Sequence, residues 1–156
     1  MSQVKPIPEG FHSITPHLSV QGAARAIEFY RAAFGAEEIF RVPTPDGRLL
    51  HAEIRIGDSI VMIADEFPDM CTGEAVVHGN LPVTIHLFVR DCDAVFQRAT
   101  AAGAKVVMPL QDMFWGDRYG SVRDPFGHNW SIATRKQNLS PEEIAKASEQ
   151  AFAVRG

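Results

Sequence analysis

Cysteine is scarce in this chain. Among 156 residues only Cys71 and Cys92 occur, in unrelated contexts and without a Cys-x-x-Cys pair, so neither a disulfide framework nor a thiolate metal site is indicated. Cys92 stands near the start of an expected helix, where the dipole lowers a thiol pKa, but no base is arranged beside it. Runs of Lys or Arg are also missing, and the formal net charge is -4. The chain therefore has no electrostatic footprint for nucleic acid or an anionic membrane. Its longest apolar stretches, such as Ile60 to Ala64, are too short to cross a bilayer, and the opening MSQVKPIPEG has no apolar signal core. A cytoplasmic protein is expected, with neither nucleic acid nor membrane as partner.

What is present is an ordinary globular composition, 46% hydrophobic and 22% charged, in a chain long enough for one sizeable core. The most informative stretch is FWGDRYGSVRDPFGHNWSIAT, residues 114–134. Within it Asp124-Pro125-Phe126-Gly127 has a turn mechanism: Pro fixes φ at the first corner, Asp bonds its own downstream backbone, and Gly accepts φ > 0. The flanking runs, Arg118 to Arg123 and His128 to Thr134, carry Tyr, Val, Trp, Ile and Thr, which suit a pleated surface. They predict two antiparallel strands.

Upstream, residues 1–12 read as an extended arm and Ser13 to Val20 as a strand. Ala23, Ala26, Ile27, Tyr30, Ala33 and Phe34 recur at helical spacing and Gly35 ends that helix. Strands follow at Glu37 to Val42, Leu49 to Ile56 and Ser59 to Ala64, giving the order βαβββ. After a turn-rich loop from Asp65 to Pro82 the pattern begins again. His17-Leu18-Ser19-Val20 aligns with His86-Leu87-Phe88-Val89, and Ile63-Ala64-Asp65 falls on Ile132-Ala133-Thr134 at the same offset. A second helix over Asp93 to Ala102, capped by Gly103, and a strand that begins over Lys105 to Pro109 continue the repeat. Ser140, followed by Pro141 at the first helical position and by Glu142 and Glu143, opens a last helix over about 140–154. The expected organisation is a single domain over 1–156 with halves at about 13–65 and 83–135.

This paired pattern, with IEFYRAAFGAEE, HAEIRIGDSIVMIADE and WGDRYGSVRDPFGHNWSIAT, resembles the vicinal oxygen chelate superfamily. The closest likeness is to PhnB-like members of the glyoxalase/bleomycin resistance group. The resemblance implies an α+β fold of two βαβββ modules whose curved mixed sheets surround a cavity. It leaves the activity open, because the superfamily includes isomerases, ring-cleaving dioxygenases, thiol transferases and drug-binding proteins without catalysis. Its metal-dependent members place ligands at positions corresponding to Thr15, Glu53, Thr84 and Ser131. Only Glu53 is a good donor in that set.

Strand alternation offers a second set. Thr15 and His17 share a face, as do Thr84 and His86, and His51 shares one with Glu53. The expected ligand pocket is lined by His17, His51, Glu53, His86, Trp115, Tyr119 and Ser131. No metal or other cofactor is expected. Were a divalent ion (Zn, Ni, Mn or Fe) present, its ligands would be His17, Glu53 and His86, and Glu53 would be the catalytic group. Two functional readings follow: a protein that binds a small organic molecule, and a metal-dependent lyase, isomerase or dioxygenase built on the shifted His/Glu set. A blander assignment pairs Glu53 with Arg55 or Arg41 at the rim, places Trp115 and Trp130 in the core, and makes Asp117, Arg118, Arg123 and Asp124 a structural ion-pair and turn network. The expected macromolecular partner is a second copy of the chain, in a homodimer with the N-terminal arm and C-terminal helix crossing to the partner.

Overall fold

The computed structural model describes residues 4–67 and 83–153; Cys71 and much of the loop expected before Val83 lie outside them. Elements run in the order β1 (His17–Val20), α1 (Ala23–Phe34), β2 (Glu37–Pro43), β3 (Leu49–Ile56), β4 (Ser59–Asp65), β5 (Thr84–Phe88), α2 (Cys92–Ala101), β6 (Lys105–Asp112), β7 (Asp117–Arg123), β8 (Asn129–Arg135) and α3 (Pro141–Ala153). The chain divides into two compact units, Met1–His78 and Gly79–Gly156. The architecture is α+β, with a four-stranded mixed sheet in each unit, ordered β1-β4-β3-β2 and β5-β8-β7-β6.

In the first unit α1 packs against β1, β3 and β4. Its buried positions, Ala23, Ala26, Ile27, Tyr30 and Ala33, follow the helical period, and the sheet meets them with Leu18, Val20, Ala52, Ile54 and Ile63. Each fully buried isoleucine or valine contributes about 1.5–3 kcal/mol over its exposed state. The helix ends at Gly35, whose φ of 68° lets its N–H turn back to Arg31 O. Its N-terminus is held by Asp65, which accepts from Gly22 N at 2.8 Å and Ala23 N at 2.9 Å, and from Leu49 N at 2.7 Å through its other oxygen. One carboxylate thus joins the ends of three elements.

In the second unit α2 packs on β6, β7 and β8. Val122, Trp130 and Ile132 are fully buried there. Gly120 lies where a Cβ would meet the Phe96 ring at 2.9 Å and Met108 O at 3.0 Å, so the helix approaches the sheet over a position that only glycine fills without displacing neighbours. Asp91 caps α2 by accepting from Ala94 N. The corner held in the first unit by Asp65 is held in the second by Thr134, its equivalent in the repeat. The Thr134 hydroxyl accepts from Cys92 N at 2.9 Å and donates to Val89 O at 2.7 Å.

The repeat survives in the strand ladders. His17 pairs with Met62 in β1 and β4, and their repeat equivalents, His86 and Ser131, pair in β5 and β8. Across the antiparallel strands the relation slips by one: Glu53 pairs Met62 and Phe40, whereas Ser121 pairs Ser131 and Met108.

Three boundaries bear on expectation. β1 starts at His17, not Ser13: Pro16 has no N–H to give the ladder, although its carbonyl accepts from Met62 N. β6 continues past Pro109 to Asp112, because it is an edge strand with register shifts between Val106 and Gln111 that absorb the proline. α3 has its expected start, with a reciprocal pair in which Glu143 N donates to Ser140 Oγ and Ser140 N to Glu143 Oε1.

Candidate functional site

Each sheet has one face under its helix and one away from it, the far face. In β1, Leu18 and Val20 are buried while His17 and Ser19 are exposed, so His17 lies on the far face. In β3, Ala52, Ile54 and Ile56 take the helix side, leaving His51, Glu53 and Arg55 on the other. The ladder sets His17, Met62, Glu53 and Phe40 in one row across the sheet, with His51 in the next.

The side chains converge accordingly. His51 Nε2 lies 2.9 Å from Glu53 Oε2, and Glu53 is only 9% exposed. The His51 ring is edge-on to His17 at 6.1 Å between centroids and tilted against Phe40 at 5.7 Å. Glu53 therefore pairs with His51 and not with Arg55 or Arg41. The Arg41 guanidinium is engaged by Glu38, which holds the Glu38 carboxyl below its usual range. Phe40 and Met62 were not named as candidates from sequence; they become visible only once the cross-strand register is known.

In the second unit, His86 Nδ1 lies 2.6 Å from Ser131 Oγ. The His86 ring stacks on Tyr119 at 5.9 Å and meets Phe88 edge-on at 4.5 Å. Trp115 is edge-on to Tyr119 at 5.6 Å and to Phe114 at 5.0 Å. Four of the expected lining residues, His86, Trp115, Tyr119 and Ser131, thus form one cluster, extended by Phe88 and Phe114. Phe88 was legible by alternation, two residues beyond His86. The two tryptophans separate: Trp130 points to the helix side and is fully buried, donating its indole N–H to Asp124 Oδ2 at 2.9 Å.

Charged residues of the long motif are structural. Arg118 Nη2 and Nε reach Asp93 at 2.9 Å and Nη1 reaches Asp112 at 3.4 Å, which ties the first turn of α2 to the end of β6. Arg123 bonds Asn129 Oδ1. Asp124 closes the β7–β8 hairpin, accepting from Phe126 N and His128 N at 2.9 Å, while Gly127 takes φ of 95°.

Residues 10–132 match the Glyoxalase/Bleomycin resistance protein/Dioxygenase superfamily. The chain belongs to this superfamily. An uncharacterized protein of Mycobacterium tuberculosis is 51% identical over 138 residues, covering 86% of this chain and 81% of its own length. The crystal structure of TioX from Micromonospora sp. ML1, 30% identical, covers 83% of this chain and all of its own, with a TM-score of 0.63. A PhnB protein from Bacillus cereus, 19% identical over 79% of this chain, reaches the same TM-score and supports the fold.

Metals serve many members of this superfamily, and the donor chemistry here is a poor match. The four corresponding positions, Thr15, Glu53, Thr84 and Ser131, offer one carboxylate and three hydroxyls, where a first-row divalent ion takes imidazole, thiolate or carboxylate. The Glu53 carboxylate is engaged by His51 and the Ser131 hydroxyl by His86. Among the described residues no group of three His, Cys, Asp or Glu side chains converges on a point that could hold an ion.

Proposed function

We propose that this superfamily member binds a small organic molecule on the far faces of its sheets, with the aromatic cluster of the second unit as the main contact. The observation that carries the reading is that cluster: His86, Phe88, Trp115 and Tyr119 meet through ring contacts of 4.5–5.9 Å. Phe88 remains 60% exposed. Aromatic rings presented together give a flat ligand both area and offset or edge-on partners. The His86–Ser131 pair adds a polar group at the same surface, the feature that orients a ligand within an otherwise apolar site.

Further apolar side chains are exposed on both units, including Phe40, Val42, Val106 and Val107. Apolar surface of this kind is stabilised when a ligand or partner covers it. A homodimer that covers part of it belongs to the same reading. No reaction step is assigned, because the side chains that meet on these faces supply recognition chemistry.

The test is a calorimetric and fluorescence titration of the metal-analysed protein with small naphthalene and indole derivatives, with light scattering on the same sample. Saturable binding near one molecule per chain that is weakened at least tenfold by Tyr119→Ala is expected, from a dimer in solution. Absence of saturable binding across the series would remove the reading.

A further inference from the structure

Arg135 ends β8 on the far face, in line with Ser131 and Ala133. Its guanidinium carbon lies 5.9 Å from the centre of the Phe88 ring. The carboxylate facing it is Asp117, whose Oδ1 is 3.6 Å from Arg135 Nε, too long for a hydrogen bond. Among the described residues that oxygen is buried and has no hydrogen-bond partner, while the Arg135 side chain is 64% exposed. The cation is thus held beside the aromatic surface by charge and ring contact, without a hydrogen bond to Asp117.

We infer that the ligand of the aromatic face is a planar aromatic acid whose ring packs, flat or edge-on, against the cluster of Phe88, His86 and Tyr119 and whose carboxylate is taken by Arg135. The inference rests on the binding proposed above and deepens it by naming the ligand class. A guanidinium fits it on two counts: it presents parallel N–H donors matched to a carboxylate, and it stacks beside a ring at little solvation cost. Lys136 and Arg118, the neighbouring cations, line a depression with Asp93, Asp112 and Asp117, and Arg118 is spent on Asp93 and Asp112. Arg135 alone among these three cations touches the ring cluster.

The deciding experiment titrates the intact protein with naphthalene-2-carboxylate and with naphthalene-2-carboxamide, equal in ring and differing in charge. The carboxylate is expected to bind about fivefold tighter, the scale of one partly exposed ion pair, and raising the salt should shrink that preference. In Arg135→Gln the carboxylate preference should vanish; in Arg135→Lys it should fall between the two. Equal affinity for both probes in the unaltered protein, or a preference that survives Arg135→Gln, overturns the inference and leaves the binding proposal standing. Failure of both probes to bind overturns the binding proposal and this inference with it.

Discussion

The indole N–H of Trp130 donates to Asp124 Oδ2 at 2.9 Å, joining the first residue of the hairpin turn to the largest buried side chain of the second unit. The same carboxylate accepts the turn amides of Phe126 and His128. Turn and core are therefore one interaction system. Asp124→Ala should strand a buried indole donor and two amides, and it is expected to lower unfolding free energy by about 3 kcal/mol or more. Chemical denaturation measures this; a loss under about 1 kcal/mol would show that the turn forms without its carboxylate.

The two copies of the repeat solve one corner differently. Asp65 accepts three backbone N–H groups at the start of α1 and of β3, with the helix dipole favouring its charge. Thr134 makes one acceptor and one donor bond at the matching place. Asp65→Ala should cost about 3 kcal/mol and Thr134→Val about 1–2 kcal/mol. Equal losses in matched denaturation curves would contradict this division.

Much of this was legible beforehand because it follows from periods. The constant offset that carries His17 onto His86, the phase that sets His17 apart from Leu18, and the hairpin at Asp124 all come from repetition, alternation or turn chemistry. Partners across strands were not legible. The expectation for Glu53 named arginines at the rim, whereas its partner is His51, two residues along β3 on the same face; alternation left that contact open, but cross-strand register depends on turns and bulges that single-strand patterns do not encode. The same limit hid Met62 and Phe40. How far the strand begun over Lys105 to Pro109 runs was likewise not legible: Pro109 is carried inside it because it is an edge strand, which only the sheet order reveals.

The Arg118 guanidinium beside Asp93 holds that carboxyl below the ordinary carboxylate range. A lowered folded-state value stabilises the fold at pH above that range, and the contribution disappears as pH falls through the lowered value. Arg118→Met should bring the Asp93 titration back toward the ordinary value and remove this part of the acid dependence. Carboxyl carbon NMR titration of the two proteins reads the change directly, and an unmoved midpoint would sever the pair.

The central claim is that the far face of the second unit receives the ligand while the helix side stays closed, and the two indoles divide between them. Trp115 sits against Tyr119 in the ring cluster, and Trp130 is fully buried on the opposite side. A nitrogen-proton correlation spectrum recorded during addition of naphthalene-2-carboxylate follows both indole N–H signals at once. The account predicts a saturable shift of the Trp115 signal with the Trp130 signal unmoved; a shift of Trp130 with Trp115 unaffected would contradict it.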